Sequence, residues 1–270
     1  MIKLESISKT FTSIDGTQTK ALDRVTLEVI EGEFVSLVGP SGCGKTTLLE
    51  IIAGLQAPDV GKVSLNGKRL NGDFGWAGYM SQTDTLMPWR SVMQNAEIGL
   101  EIRGVQQDVR RKQVSTLIEQ VGLTGFEDKF PSEISGGMRR RLGLVRMLAY
   151  DPKVMLLDEP FGALDALTRE MLQRDLLRLW QKHRRTVVFV THDLVEAITL
   201  SDRIILLSAR PGTVKREYTV PLARPRESFE VQFDEQFLEL HQRIRRDLLV
   251  EPASFKRQDI GVDDPQQHAI

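Results

Sequence analysis

The 270-residue chain has a single cysteine, four scattered histidines and few aromatics, 6% of its residues. One thiol excludes an intramolecular disulfide framework and a cysteine-rich metal site. The histidines form no HExxH pair, the usual zinc-protease signature. Charge of one sign is missing as well: 36 Lys and Arg stand against 37 Asp and Glu, a net of −1. That balance argues against a protein that grips nucleic acid or anionic lipid by bulk charge. No apolar run approaches the roughly 18–20 residues that a membrane-spanning helix needs. The opening MIKLESISKT carries no apolar stretch of signal-peptide type. The expectation is a chain that folds in a reducing cytosol and reaches a membrane only through a partner. What is present is 41% hydrophobic residues, enough for a core in one large domain or two small ones.

The apolar runs are short, as in Thr186–Val190 and Ile204–Leu207, and suit buried strands. Residues 2–8 and 24–30 alternate as half-exposed strands do, with a polar loop at Asp15-Gly16 between them. Phe34–Val38 reads as a buried strand that runs into a glycine-rich turn and then a helix over 46–55. Residues 62–65 meet Asn66-Gly67, a hairpin signal. Another strand is expected over 76–81. Apolar positions 109, 114, 117, 118 and 121 have helical spacing, and 83–149 reads as a helical insertion. A strand over 153–157 follows, then a helix near 166–182 with Leu167, Met171, Leu172, Leu176, Leu179 and Trp180 on one stripe. A strand over 186–191, a short helix from Asp193 and a strand over 203–207 complete the pattern. Strands alternating with helices imply a parallel sheet in an α/β fold. From Pro211 the chain turns polar, and the last dozen residues read as frayed.

Gly39-Pro40-Ser41-Gly42-Cys43-Gly44-Lys45-Thr46 matches G-x-x-x-x-G-K-[ST] in full, after an apolar strand and before a helix. Its glycines let the backbone wrap a phosphate, and the helix N-terminus adds partial positive charge; Thr47 continues the same turn. Lys45 is placed to reach the β and γ phosphates, and the Thr46 hydroxyl to hold Mg²⁺. Val154–Leu157 ends in Asp158 and Glu159. A buried strand delivers both carboxylates to the end of the sheet that holds the glycine-rich turn. Asp158 then holds Mg²⁺, and Glu159 orients the attacking water and takes its proton. Cys43 is read as a small residue tolerated in the turn, in preference to a thiol activated by the helix N-terminus. Arg139–Arg141 is read as a solvated helix face near bound phosphate.

Ile134-Ser135-Gly136-Gly137-Met138-Arg139, ahead of Asp158 and followed by a helix, is similar to the LSGGQ signature of ABC ATPases. With it, residues 1–220 resemble the ATP-binding subunit of an ABC transporter. The resemblance implies a P-loop NTPase: a RecA-like core, an antiparallel β subdomain and a helical subdomain about 83–149, with 221–270 as a C-terminal extension. It implies ATP and Mg²⁺ as cofactors. Phe11 then stacks on adenine, Gln82 joins Thr46 and Asp158 at the metal, and His192 serves beside Glu159 in catalysis. Asp165, in Ala163-Leu-Asp165, belongs to the dimer loop. Ser135, Gly136, Gly137 and Met138 bind the nucleotide of the opposite subunit. Ile134 and Met138 replace the usual Leu and Gln, and the small residues between them are kept. The implied partners are a second ATP-binding subunit, two membrane permease subunits and an extracytoplasmic solute-binding protein, at the cytoplasmic face of the inner membrane.

A narrower resemblance follows Gln82. Leu86-Met87-Pro88-Trp89-Arg90 looks like the LLPWR segment of nitrate, sulfonate, taurine and bicarbonate importers. Phe161–Asp165, Leu176–Trp180, Ala209–Gly212 and Arg224-Pro-Arg226 look alike too, and the resemblance implies that all of these face the permease. The function expected is ATP hydrolysis that drives uptake of a small anionic solute. Thiamine-precursor pyrimidine importers carry similar subunits and stay open as an alternative. A soluble ABC ATPase of the assembly-factor type is a rival that the Pro88-Trp89-Arg90 segment disfavours. A regulatory module that holds ATP without turnover is disfavoured by the intact Glu159 and His192.

Overall fold

The computed structural model describes residues 1–70, 75–162, 164–226 and 230–249. Ala163, the side chain of Leu179 and the C-terminal segment read above as frayed lie outside the described residues. Strands β1 (Ile2–Thr12) and β2 (Gln18–Val29) form an antiparallel ribbon around the turn at Asp15-Gly16. Both outrun the expected 2–8 and 24–30. Three register shifts along their pairing break the alternation that sequence reading relies on. Strand β3 (Phe34–Val38) is buried along its whole length and leads through the glycine-rich turn into α1 (Lys45–Ala53). Strands β4 (Val60–Leu65) and β5 (Lys68–Arg69) are joined by Asn66-Gly67, whose φ values of 50° and 80° supply the left-handed pair of a tight hairpin. They complete a four-stranded antiparallel sheet of order β2-β1-β4-β5.

Strand β6 (Ala77–Met80) precedes the insertion, which consists of α2 (Val92–Ile102), α3 (Gln107–Gln120) and α4 (Gly136–Ala149). These helices bury a core of their own, built on Val92, Val114, Ile118, Leu142 and Val145. The chain continues through β7 (Val154–Asp158), α5 (Ala166–His183), β8 (Thr186–Val190), α6 (Leu194–Leu200) and β9 (Arg203–Leu207). It ends its described part with β10 (Val214–Thr219) and α7 (Glu235–Leu249). The second sheet runs β10-β9-β3-β8-β7-β6, parallel except for the edge strand β10. Strands β3, β7 and β8 are buried at every position, as continuous apolar runs covered on both faces must be. Leu48, Leu49 and Ile52 of α1 fill one side of that sheet. On the other side Trp180 meets Phe34 edge-on, with ring centroids 5.7 Å apart.

Residues from three of the segments implied to face the permease instead lie in the interior. Phe161, Leu176 and Trp180 are at most 1% exposed. Arg224 lies over the Trp180 ring, 4.3 Å from its centroid, and pairs with Asp202 at 2.8 Å. Arg226 is buried and donates to the carbonyls of Ile198, Ser201 and Leu222, closing the C-terminus of α6. Burial lowers its pKa to about 10, so it keeps its charge near neutral pH. The physical reason is supply of donors: α6 ends inside the protein, and its last carbonyls need partners there. Helix α7 was not expected from the polar C-terminal sequence. Phe237, Leu240 and Ile244 are its buried stripe, packed with Val38, Ile204 and Tyr218.

Candidate active site

The glycine-rich turn is held by its surroundings. Gly44 has φ +96°, and a Cβ there would lie 2.7 Å from the Leu22 side chain and 3.0 Å from the Ala21 carbonyl oxygen. Only glycine fits. Lys45 is 6% exposed and folds back across the turn, donating to Gly39 O at 2.8 Å and Pro40 O at 3.0 Å. Cys43 is fully buried, and burial pushes its thiol pKa up despite the Lys45 charge. It is a small packing residue, as favoured above. Gly39, Pro40 and Cys43 do not line the open cavity, whereas Ser41, Gly42, Gly44, Lys45, Thr46 and Thr47 do.

Asp158 ends β7 at 1% exposure. Burial raises its pKa, offset in part by a hydrogen bond with the Thr46 side chain. Its Oδ1 is buried with no hydrogen-bond partner. An unpaired buried carboxylate oxygen is costly, and a hard cation with oxygen ligands would satisfy it. Glu159 follows with φ +42°, a strained conformation for a residue with a side chain. Its N–H donates to Val190 O at 3.0 Å, which fixes the turn against β8. Glu159 Oε2 lies 3.2 Å from Gln82 Nε2 and 3.2 Å from His192 Nδ1. These three residues follow β6, β7 and β8, neighbours in the parallel sheet, so the topology itself gathers them. The loop of His192 is braced by Thr191, whose hydroxyl donates to the buried Glu196 at 2.6 Å, and by Asp193, which caps α6.

Beside the glycine-rich turn opens a cavity of about 470 Å³. Its wall includes Gln82, Glu159, His192, and Phe11, which is 40% exposed. Arg210 lines it too. Sequence reading missed Arg210 as a site residue because Ala209–Gly212 carried only a likeness of lineage. Lys45 and Arg210 give the cavity cations for a polyanion, Phe11 gives it an aromatic wall, and its volume is that of an ordinary ligand site.

Ser135, Gly136, Gly137 and Met138 do not join this cavity. Ser135 caps α4, its Oγ accepting from Met138 N at 3.2 Å, and both Ser135 and Gly136 are exposed. Asp165 likewise caps α5 through Thr168 N at 3.0 Å and is exposed. The Ser135–Met138 turn and the cavity are therefore separate surfaces of one chain. Two of the three arginines after Met138 are tied to the preceding loop and are not left to solvent. Arg139 pairs with Asp84 at 3.2 Å, Arg140 donates to the carbonyls of Ser81 and Gln82, and Arg146 donates to Thr85 O at 2.8 Å. Residues 81–85 have left the sheet, and their carbonyls take guanidinium donors in place of strand partners. The signature helix is thus strapped to the Gln82 loop. In the following segment, buried Asn95 accepts from Met87 N and donates to Met87 O and Arg90 O, which shapes the loop. Arg90 is half-buried and pairs with Glu101 at 2.6 Å. Pro88 is exposed, and Trp89 is left 72% exposed.

The family model described as "ABC transporter" matches residues 22–162, over half of the chain and the whole stretch from the glycine-rich turn to Glu159. The chain belongs to the ABC transporter family. It is the family's ATP-hydrolysing cassette, on a P-loop NTPase fold. An uncharacterized ABC transporter ATP-binding protein of Methanocaldococcus jannaschii is 49% identical over 86% of each chain. The taurine import ATP-binding protein TauB of Roseobacter denitrificans is 42% identical over 82% of this chain and 83% of its own. Among solved structures, a dimeric bacterial ABC transporter cassette is 33% identical, with a TM-score of 0.75, covering 83% of this chain and all of that one. A post-hydrolysis state of that cassette, bound to ADP and Pi, matches equally well.

Proposed function

We propose that this cassette energises an importer for a small anionic solute, of the nitrate, sulfonate, taurine or bicarbonate class. The observation that carries the catalytic part is the convergence of Gln82 and His192 on one oxygen of Glu159, beside Lys45 in the same cavity. Lys45 neutralises charge on the β and γ phosphates. Glu159 accepts a proton from the in-line water, while Gln82 and His192 hold its carboxylate in place. Thr46, Asp158 and Gln82 would hold Mg²⁺, which supplies charge neutralisation between phosphate oxygens. The unpartnered Asp158 Oδ1 supports that assignment. Phe11 offers the adenine a stacking face.

The site of one chain is incomplete in this reading. Ser135, Gly136 and Gly137, at the start of α4, present small residues and the N–H groups of the two glycines to an anion, with Met138 N held by Ser135 Oγ, yet they lie outside their own chain's cavity. A second cassette, with Asp165 near the contact, brings its signature to the first chain's nucleotide. The dimeric state of the solved cassette supports this pairing. Ser135→Arg adds bulk and charge at that contact. The expected result is ATP binding to the isolated chain within about threefold and hydrolysis lowered by about 10² or more, the worth of lost transition-state donors. Unimpaired hydrolysis by Ser135→Arg defeats the composite site.

The taurine-import relatives support import of a small sulfonate-bearing solute, and the exposed Trp89 supports docking to a permease. Among the described residues no helix is long and apolar enough to cross a membrane. The proposed attachment is therefore through two permease subunits, at the cytoplasmic face of the inner membrane, with a solute-binding protein on the other side. Met87, Pro88 and Trp89 form the proposed contact, and Arg90 positions them through Glu101. Trp89→Ala is expected to leave basal ATPase of the free chain within about threefold and to weaken permease assembly by about 1–3 kcal/mol, the range of an interface anchor. Pull-down with the permease and taurine or nitrate uptake by reconstituted complexes check it. Normal assembly and uptake would remove the importer assignment's structural support.

A further inference from the structure

The loop after β9 supplies a cation to the cavity that no motif accounts for. Its shape is fixed. Ser208 N donates to Thr213 O at 2.9 Å, Gly212 N to Ala21 O at 2.8 Å, and Asp23 N to Gly212 O at 3.0 Å. Gly212 lies flat against the back of the glycine-rich turn, where any Cβ would collide with the Cys43 carbonyl. This seating places Arg210 beside Gly42. Arg210 Nε donates to Gly42 O at 3.1 Å, and its NH2 nitrogen would be 3.1 Å from a Cβ built on Gly42. The guanidinium lines the cavity together with Ser41, Gly42 and Lys45. Arg210 and Lys45 are the two permanent cations of that lining, and Lys45 is folded onto Gly39 O and Pro40 O. The Gly42 carbonyl, whose negative end would repel an anion, is occupied by Nε.

We propose that Arg210 is a second cationic ligand of the bound nucleotide's polyphosphate, and that its hold on Gly42 sets the glycine-rich turn for that contact. The proposal rests on the reading of this cavity as the nucleotide site. A guanidinium anchored at one nitrogen keeps its outer nitrogens for a phosphate oxygen, and its planar fork matches phosphate geometry in a way that an ammonium does not. The polyphosphate is the portion addressed because the guanidinium is tied to the phosphate-cradling turn itself.

The test is equilibrium binding of ATP, ADP and adenosine by calorimetry to full-length Arg210→Ala, Arg210→Gln and Arg210→Lys proteins. Arg210→Ala is expected to weaken ATP and ADP each by about tenfold, about 1.4 kcal/mol. Adenosine should change by less than about twofold, because it carries no phosphate. Arg210→Lys should recover part of the loss, since it restores charge without the fork. The KM for ATP should rise by more than kcat falls. If Arg210→Ala does not fold, Arg210→Gln gives the same comparison with the side chain's bulk retained. ATP and ADP affinities within about twofold of the native chain would overturn the proposal, as would an equal loss for adenosine. Lys45→Ala separates this from the underlying reading: lost ATP binding at Lys45 with none at Arg210 defeats Arg210 alone. Retained binding and turnover in Lys45→Ala defeats the nucleotide site itself.

Discussion

Lys45→Ala is expected to lower ATP turnover by about 10²–10³ and to weaken ATP binding in the same protein. The ammonium is almost fully buried and already held by two carbonyls, Gly39 O and Pro40 O. An arriving polyphosphate competes with those carbonyls for the charge, and a hydrogen bond to a charged group contributes about 1.5–3 kcal/mol. Truncation removes that contact from substrate and transition state alike and leaves the two carbonyls without their donor. The transition state spreads charge over the γ-phosphoryl oxygens, so it loses more than the ground state does. Phosphate release measured beside direct nucleotide binding separates the two effects. A folded Lys45→Ala protein with native turnover would mean that the glycine-rich turn is not the phosphate cradle.

Glu159→Gln is expected to lower turnover by about 10²–10⁴, the usual worth of a positioned general base. Binding should survive, because the amide keeps the shape of the side chain and an oxygen to accept from Gln82. The backbone argues that this position is selected for geometry. A φ of +42° costs about 1–3 kcal/mol, and it is kept in place by the hydrogen bond from Glu159 N to Val190 O. That conformation aims the carboxylate back over the cavity, where Gln82 and His192 meet it. Single-turnover kinetics with radiolabelled ATP measure the chemical step alone. A native rate would move the base elsewhere.

The parallel core was legible because β3, β7 and β8 are apolar at nearly every position and each ends in a chemical motif. The glycine-rich turn, the two carboxylates and the histidine therefore came with their structural context attached. The proposed sharing of the site between two chains rests, in the sequence, on resemblance alone. What the structure adds is that Ser135–Met138 lie apart from their own chain's cavity. Three kinds of feature stayed hidden. The bulged ribbon of β1 and β2 loses its alternation at each register shift. Helix α7 sets Phe237, Leu240 and Ile244 at i, i+3 and i+7 among many charges, a strong amphipathic stripe that the polar composition of the segment masked. Long-range guanidinium bonds leave no periodic trace: Arg140 to the Gln82 loop, Arg226 to the end of α6 and Arg210 to Gly42 each join segments far apart in sequence. The Arg139–Arg141 run reads as a solvated face until the carbonyls of residues 81–85 are seen beside it. Trp180 is buried as its place on the apolar stripe of the helix implies, whereas Arg224 reads as a marker of lineage until the ring beneath it is seen.

In the proposed function ATP is hydrolysed between two copies of this cassette, or between it and a related one, each completing the other's site. Sedimentation of the Glu159→Gln chain with saturating ATP and Mg²⁺ tests it most directly, because binding without turnover lets the sandwiched state accumulate. The expected result is a two-chain species that holds one ATP per chain, forms only with nucleotide and is lost when Ser135→Arg is added to the same chain. A species that stays one chain under saturating ATP, or a two-chain species indifferent to both nucleotide and Ser135→Arg, would contradict it.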